Sequence, residues 1–415
     1  MRRGDGVKKR RTHVVSRGSI LTLLTYSPSP YDGVGPAETC VNILKNLPTE
    51  SVSPILFTPR LTVEISANVS VRQSLPALLR RSPYKMTRPI GRWTLNQSYG
   101  RALETLDPKT SIAYFWPDPP TSLILKAKAL GIVTVREMIN CTRGVAKQIL
   151  DDVYRSHGVV PTHGISNASI QLEDEQLRLY DYVFAPKQAE SSVLAAGVDR
   201  GRIVPASFGW DPKRFTNAGK AVQSTRLTVL FVGTLCFRKG VAELLKAWKQ
   251  SRIDGRLILV GSIAKDMKPI LAPYLNDPSI HFLGLRKNLG EIYREASFFV
   301  FPTFEEGSPQ VSFEAAGCGL PIITTPMGAG RLIGNGVNGL VVPAGDVDAL
   351  AEAMTTLASA PEIRLKFSER ARSAAANFTY ERIGSYRVRA LQGLLRRDPQ
   401  LARLEMAHIE ATNTI

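Results

Sequence analysis

The sequence predicts an α/β protein made of two Rossmann-like domains that face each other across a cleft. Three observations predict it. Short apolar runs alternate with stretches of helical spacing over residues 19–208, as in a parallel sheet with crossover helices. A polar stretch then breaks the rhythm, and a second alternating series starts near residue 226. In open sheets of this kind ligands sit at the carboxyl ends of strands, and the cleft between two such halves is the default site.

The first half opens with ILTLLTY, residues 20–26, which reads as a buried strand. A loop rich in Gly and Pro, SPSPYDGVGPAE, follows. AETCVNILKNL then has helical spacing through Val41, Leu44 and Leu47. Apolar runs recur at VSPILFT, TSIAYFWP, GIVTVREM and YDYVFAP, interleaved with helical stretches such as TSLILKAKAL and KQAESSVLAAG. RIVPASFGWDPKRFTNAGKAVQST has no long apolar run and reads as a linker. The second half begins with the strand RLTVLFVGTL, the loop CFRKG and the helix VAELLKAWKQ. RLILVGS, IHFLG, SFFVFPT, LPIITTP and GLVVPAG are further strands. DVDALAEAMTTLASA is a helix that Asp346 or Asp348 can cap. The expected organisation is a basic tail over 1–18, a first domain over 19–208, a linker over 209–225 and a second domain over 226–377. A helical segment over 378–415 is expected to cross back to the first domain.

At 415 residues the chain has room for two or three domains, and a hydrophobic content of 44% builds ordinary cores. The four cysteines form no Cys-x-x-Cys pair, and the five histidines show no His-x-x-x-His or HExxH spacing. No disulfide framework and no protein-built metal site are indicated, and a reducing compartment is expected. No apolar run approaches the roughly 18 residues of a membrane span. The basic N-terminus lacks the apolar core and cleavage site of a signal peptide. The formal net charge is +17. Part of it lies between Glu64 and Glu104, where Arg72, Arg80, Arg81, Lys85, Arg88 and Arg92 stand without an acid. A solvated surface, an anionic membrane or a phosphorylated substrate fits such a run. Nucleic acid is disfavoured, because no RNA-binding signature or aromatic-basic repeat is present.

The stretch FFVFPTFEEGSPQVSFEAAGCGLPIITT, residues 298–325, carries the densest chemistry. Its start reads as a central strand. Ser308 and Pro309 then read as N-cap and first helical position, and Gly317 or Gly319 ends the helix before Pro321. Glu306 stands in the loop, near backbone amides that favour an anion. Glu314 stands inside the helix. Amides that hold a diphosphate, with two carboxylates that grip two sets of hydroxyls, suit a nucleotide-sugar. The plainer alternative is that Glu306 complements the helix dipole, worth roughly 0.3–1 kcal/mol, while Glu314 faces solvent.

FEEGSPQVSFEAAGCGLPIITTPMGAG resembles the Glu-x7-Glu region of retaining glycosyltransferases with the GT-B fold, family 4 (glycosyl transferases group 1). Glu306, Gly307, Glu314, Ala315, Gly319 and Pro321 match that pattern. VLFVGTLCFRKGVAELLKAW, NGVNGLVVPAGDVDALAEAM, YDYVFAPKQAESSVLAAGV with FGWDPKRF, and YDGVGPAETCVNIL also resemble family segments, in the family's order. The resemblance is strong over about residues 180–385 and weaker before them.

The resemblance implies roles residue by residue. Glu306 contacts the hydroxyls of the transferred sugar, Glu314 holds the nucleotide ribose, and Lys239, with Arg238 beside it, neutralises the diphosphate. Gly233 and Thr234 belong to the phosphate loop. Gly307, Ser308, Pro309 and Gln310 supply the turn and amides after Glu306. Gly33 or Gly35 lets the N-terminal backbone approach the phosphates. Two departures stand out. Thr234 occupies a place where the family often has arginine. No histidine lies near AYFWPDPP or VREMINCTRG, where Trp116, Asp118, Glu137 and Asn140 are the acceptor-side candidates. His157 and His163 read as ordinary loop residues.

The implied activity is metal-independent, retaining hexosyl transfer without a cofactor. The second domain binds a nucleotide-diphosphate sugar and the first a carbohydrate or lipid-linked acceptor, as in polysaccharide, glycolipid or glycoconjugate biosynthesis. The expected place is the cytoplasm, with peripheral contact at the inner face of an anionic membrane as an added option. The alternatives are a catalytically inactive GT-B sugar- or nucleotide-binding protein and a GT-B nucleotide-sugar epimerase. A dinucleotide oxidoreductase is disfavoured, because Glu38 stands where G-x-G-x-x-G needs its third glycine.

Overall fold

A computed structural model describes residues 20–33, 35–216, 226–286 and 288–411. The basic tail 1–18 and residues 217–225 of the expected linker lie outside the described residues. The rest forms two parallel sheets. In the first, β1 (Leu21–Tyr26), β2 (Val52–Thr58), β3 (Ser70–Gln73), β4 (Ser111–Phe115), β5 (Val133–Glu137), β6 (Tyr182–Pro186) and β7 (Ile203–Ala206) lie in the order β3-β2-β1-β4-β5-β6-β7. In the second, β8 (Thr228–Val232), β9 (Arg256–Val260), β10 (Ile280–Gly284), β11 (Phe298–Phe301), β12 (Ile322–Thr324) and β13 (Gly339–Val341) lie in the order β10-β9-β8-β11-β12-β13. Each order reverses direction once, between β1 and β4 and between β8 and β11. At such switch points the flanking loops diverge and leave a crevice.

The strands are apolar because helices cover both sheet faces. β4, β5, β6 and β8 are buried along their full length. One face of the first sheet packs Leu24, Phe57, Phe115 and Val183 against Leu95, Tyr99 and Ile124. Its other face packs Leu23, Ile112, Tyr114 and Val135 against Tyr386, Leu391 and Leu394. Those last three belong to the helix Tyr380–Leu395, so the C-terminal segment completes the core of the first domain. Burial of each such leucine contributes about 1.5–3 kcal/mol.

The stretch that reads as a linker is structured over most of its length. Ile203–Ala206 forms the edge strand β7, paired to β6. Pro205 and the polar residues on both sides interrupt the apolar run there, and the neighbouring strand decides the conformation. Beyond it, Trp210 N donates to Phe378 O at 3.0 Å and Tyr380 N to Trp210 O at 3.0 Å. Here the chain passing outward and the chain returning lie side by side. A Cβ at Gly209 would stand 2.8 Å from Phe378 O, so these two passages touch backbone to backbone.

A buried ion pair fixes the returning helix. Arg387 Nη2 donates to Glu137 Oε1 at 2.7 Å and Nη1 to Oε2 at 2.9 Å. Tyr114 OH donates to Glu137 Oε2 at 2.6 Å. The guanidinium stands 4.1 Å from the Phe184 ring centroid. Removal of one partner leaves an uncompensated buried charge. Arg387→Met should therefore lower the unfolding free energy by about 3–5 kcal/mol, and Glu137→Gln added to it should recover most of the loss. Urea denaturation checks this; equal losses in the single and double variants would mean that packing, not charge, holds the helix.

Candidate active site

β8 and β11 are neighbours, so the loops that leave Val232 and Phe301 lie side by side at the carboxyl edge of the second sheet. The first loop carries the turn Phe237–Lys239, closed by Gly240 at φ 67°. A Cβ on Gly240 would stand 2.0 Å from Pro302 O, so only glycine lets this turn press on the β11 loop. The contact places Lys239 against Glu306 as an ion pair. The Lys239 ammonium also stands 4.9 Å from the Phe301 ring centroid. Arg238 Nη1 donates to Glu306 Oε1 at 3.1 Å, to Glu305 Oε2 at 3.2 Å and to Glu305 O at 3.1 Å. Burial, with the Arg238 charge beside it, pushes the Lys239 ammonium well below its usual range. Gly233 is half-buried, with its N–H donated to Val260 O at 2.9 Å, and Thr234 is exposed.

The same loop meets the first domain. Glu305 is buried, with Oε2 accepting from Asn140 Nδ2 at 3.1 Å and Oε1 from Cys141 Sγ at 3.2 Å. A Cβ at Gly307 would stand 2.1 Å from Ile139 O, so this glycine permits a backbone contact between the domains. The helix begins at Gln310, with Pro309 in the N-cap place and no side-chain cap. Ser308 does not serve as the cap, because its hydroxyl reaches across the cleft and accepts from Phe208 N at 3.1 Å. Gln310 Nε2 donates to Thr39 Oγ1 at 3.0 Å and also meets the Tyr380 hydroxyl. Thr39 lies on the helix Gly35–Lys45, so the glycine loop faces the Gln310 helix. Gly33 and Gly35 both have left-handed φ, 80° and 68°. Around Gly35 a Cβ would meet nothing within 4 Å, so conformation rather than crowding calls for glycine there.

Glu314 lies inside the helix Gln310–Gly317 and is buried, not turned to solvent. Tyr293 OH donates to its Oε2 at 3.1 Å. Burial pushes its carboxyl up to about 7, against the pull of the Arg214 guanidinium. Arg214 in turn pairs with Glu38, at the start of the glycine-loop helix, at 2.9 Å. Tyr293, Arg214 and Glu38 thus surround Glu314; Arg214 and Glu38 lie in segments that resemble the family without a role assigned to them, and no motif marks Tyr293.

On the acceptor side the structure separates the four candidates. Asn140 lines a cleft cavity of about 410 Å³ together with Cys141, Arg143, Arg238 and Glu305. Asp118 lines an adjoining cavity and pairs with Arg143. Trp116 is not a cleft wall: it is buried and stacked on Phe208. Glu137 is not available either, because Arg387 and Tyr114 consume its carboxylate. Both follow from distant packing: Phe208 covers Trp116, just past β4, and Arg387 covers Glu137, the last residue of β5. His163, which reads as surface, lines both cavities. Its loop returns to the cleft only through the packing of the helix Arg143–Ser156, which the local sequence does not mark.

Residues 226–360 match the family model described as glycosyl transferases group 1. A curated relative, N,N'-diacetylbacillosaminyl-diphospho-undecaprenol alpha-1,3-N-acetylgalactosaminyltransferase from Campylobacter jejuni, is 28% identical over 153 residues. That match covers 36% of this chain and 40% of the relative, and the chain spans about half the length of other curated relatives it matches. Among solved structures, sucrose-phosphate synthase from Thermosynechococcus elongatus superposes with a TM-score of 0.70 at 19% identity, over 91% of this chain and 100% of that one. Anabaena HepE in complex with UDP-glucose superposes with a TM-score of 0.63 at 16% identity, over 90% and 100%. The second domain is therefore similar to the glycosyl transferases group 1 family, and the two-domain architecture is the GT-B fold.

Glu314 yields a prediction with a definite sign. Its carboxyl is raised from the usual 4.5 to about 7 on folding. Its contribution to stability is then fully present below pH 4.5 and lost as pH rises through 7. Urea titrations between these limits should show the wild type losing about 3 kcal/mol relative to Glu314→Gln. A constant gap between the two would make Glu314 an ordinary, solvated carboxylate.

Proposed function

We propose that this protein is a retaining hexosyltransferase that moves a sugar from a nucleotide-diphosphate sugar to an acceptor hydroxyl presented by the first domain. The observation that carries the reading is the Arg238–Lys239–Glu306 cluster at the end of β11, within the matched region. In this reading a diphosphate displaces Glu306 from the two cations. Lys239 and Arg238 then neutralise the departing charge, in a site where one such fixed partner is worth about a hundred- to a thousand-fold in rate. The freed Glu306 accepts from sugar hydroxyls, and ionised Glu314 accepts from the ribose. Gly33 and Gly35 let backbone amides approach the phosphates, as do the amides after Gly307. The acceptor attacks from the face that the diphosphate leaves, and the leaving phosphate oxygen takes its proton. The two cations supply the counter-charge, so the proposed reaction uses no cofactor and no protein-bound metal. HepE holds UDP-glucose, which makes a UDP-sugar the first donor to try.

The thermal midpoint, followed with UDP, GDP, ADP, NAD and nucleotide-sugars in EDTA, tests the donor site. Stabilisation by a nucleoside diphosphate grows with its concentration over its Kd. It should vanish in Glu314→Ala. Lys239→Ala should lower sugar transfer at least a hundred-fold. Stabilisation by NAD alone would sink the reading, and conversion of the donor without any acceptor would replace transfer by epimerisation.

The acceptor is proposed to be a carbohydrate or a lipid-linked carbohydrate. The Campylobacter relative is named for a diphospho-undecaprenol substrate. The surface of the first domain adds support. The helix Tyr84–Leu103 exposes Met86, Ile90 and Trp93 at i, i+4 and i+7, and Leu78 just before it is 93% exposed. Lys85, Arg81 and Arg88 stand beside them. Arg80 does not join that group, because its Nε donates to Leu75 O at 2.7 Å. No helix among the described residues is long and apolar enough to cross a membrane, so the proposed contact is peripheral, at an anionic leaflet. Vesicles with anionic lipid should co-sediment the protein, and Met86→Ser with Trp93→Ser should cut that binding at least tenfold. No binding by the intact protein would remove the membrane from the proposal.

A further inference from the structure

A second cavity, of about 570 Å³, adjoins the cleft cavity, and the two share Arg143, His163 and Ile165. It lies at the carboxyl ends of β1 and β4, since Tyr26 closes β1 and Asp118 follows β4. Its wall holds three arginines, Arg88, Arg92 and Arg143, against one acid, Asp118. Asp118 is already taken, by the ion pair with Arg143. Asp118 also sits at φ 67°, a left-handed conformation that costs a non-glycine residue about 1–2 kcal/mol. That strained residue holds Arg143 at the neck between the cavities.

Arg88 and Arg92 have no such partner: among the described residues neither forms an ion pair. The Nε of Arg92 is buried and makes no hydrogen bond. Asn96 follows one turn later on the same helix, and its Oδ1 accepts from Tyr26 OH at 2.8 Å. The Asn96 Nδ2 is therefore a donor. Residues 88, 92 and 96 stand at i, i+4 and i+8, so three donor groups form one row along the helix. His163 adds none, since its Nε2 is 2.8 Å from Asp151 Oδ1 and its Nδ1 accepts from Ile165 N at 3.0 Å. The ring is a wall.

We propose that this second cavity is an anion subsite that takes the phosphate or diphosphate ester of the acceptor. Arg92 and Arg88 are its forks, Asn96 its neutral donor, and Arg143 its link to the cleft. A guanidinium nitrogen left buried without an acceptor, as the Nε of half-buried Arg92 is, is costly. Arg88 stands exposed at the mouth, and a planar guanidinium fork fits phosphate oxygens two at a time. A neutral sugar would leave that charge uncompensated. The proposal rests on the glycosyltransferase reading for the word acceptor: an ester anchored here leaves the sugar it carries to reach the cleft through the shared wall. The anion site itself rests only on the cavity.

The experiment uses the full-length protein with UDP at saturation, so that the donor site is filled, and inorganic pyrophosphate as probe in titration calorimetry. Pyrophosphate should bind, and Arg88→Gln with Arg92→Gln should weaken it at least tenfold, while Arg92→Lys weakens it less. Stabilisation by UDP checks that each variant is folded. No pyrophosphate binding by the wild type, or an affinity unchanged in the double variant, overturns the subsite. If pyrophosphate binding depends on Arg92 but no nucleoside diphosphate binds, the glycosyltransferase reading fails and the anion site stands. Competition separates the sources of the ester. Displacement by phosphatidylcholine vesicles carrying a polyprenyl diphosphate assigns a lipid-linked acceptor. Displacement by a soluble hexose 1-phosphate assigns a free one. Displacement by neither overturns the acceptor assignment.

Discussion

Four ionisable side chains meet where β11 ends, and their charges cancel. Lys239 and Arg238 face Glu305 and Glu306 in a pocket where Glu305 is almost fully buried and Lys239 largely so. Four charges out of water are tolerable only as a balanced set, because loss of any one leaves its partner unpaired. Much of the local backbone serves that balance. Gly240 brings the lysine turn against Pro302, and Gly307 brings the loop against Ile139. Ser308 gives up its capping place to bridge to Phe208. Glu305 extends the set across the cleft to Asn140 and Cys141, so the balance of charge and the approach of the domains are one arrangement. An entering dianion would then exchange partners rather than create a new charge in the interior. Such an exchange keeps the desolvation cost low.

How much of this was legible follows the range of the interactions. The alternation of strand and helix is local, and it marks every strand of both sheets except the short β3 and β7, whose four residues depend on their neighbours. The Glu306-to-Pro321 pattern lies within one loop and one helix, so its residues fall together in space. The Asp346 cap is local too: its side chain accepts from Ala349 N. What stayed hidden is long-range. Trp116 and Glu137 read as polar or aromatic groups near strand ends, yet only the arrival of Phe208 and Arg387 from distant parts of the chain makes them core. Arg214 comes from a stretch that looks like a linker and finds Glu38 across the cleft. The helix Tyr84–Leu103 is not marked by its spacing, because apolar Met86, Ile90 and Trp93 stand among the basic residues on its exposed side. Which face meets the first sheet is hidden too, because Pro89 and the many small residues blur the pattern.

The two domains are joined by more than a hinge. Backbone bonds between Trp210 and Phe378–Tyr380 tie the outgoing and returning passages, and Trp210 Nε1 adds a bond to Ala375 O at 2.9 Å. Motion between the domains therefore has a fixed pivot at these passages. The cleft contacts of Glu305 with Asn140 and Cys141 are made by side chains that can part without breaking a sheet, whereas Gln310 meets Tyr380 at the pivot itself.

The returning helix also sets the order in which the chain acquires its structure during synthesis. The first sheet is complete in sequence at Ala206, yet Tyr386, Leu391 and Leu394, which cover one of its faces, emerge about 180 residues later. At roughly 5–20 residues per second this interval lasts on the order of 10–40 s. Through that time the apolar face of β1, β4 and β5 is covered only in part, by Val41, Ile43 and Leu44 of the helix Gly35–Lys45, while the second domain gathers nearly all of its own core from a continuous stretch. The domain that is translated first is thus the one that finishes folding last, and a nascent chain of this protein carries a half-covered hydrophobic sheet until the helix Tyr380–Leu395 is released.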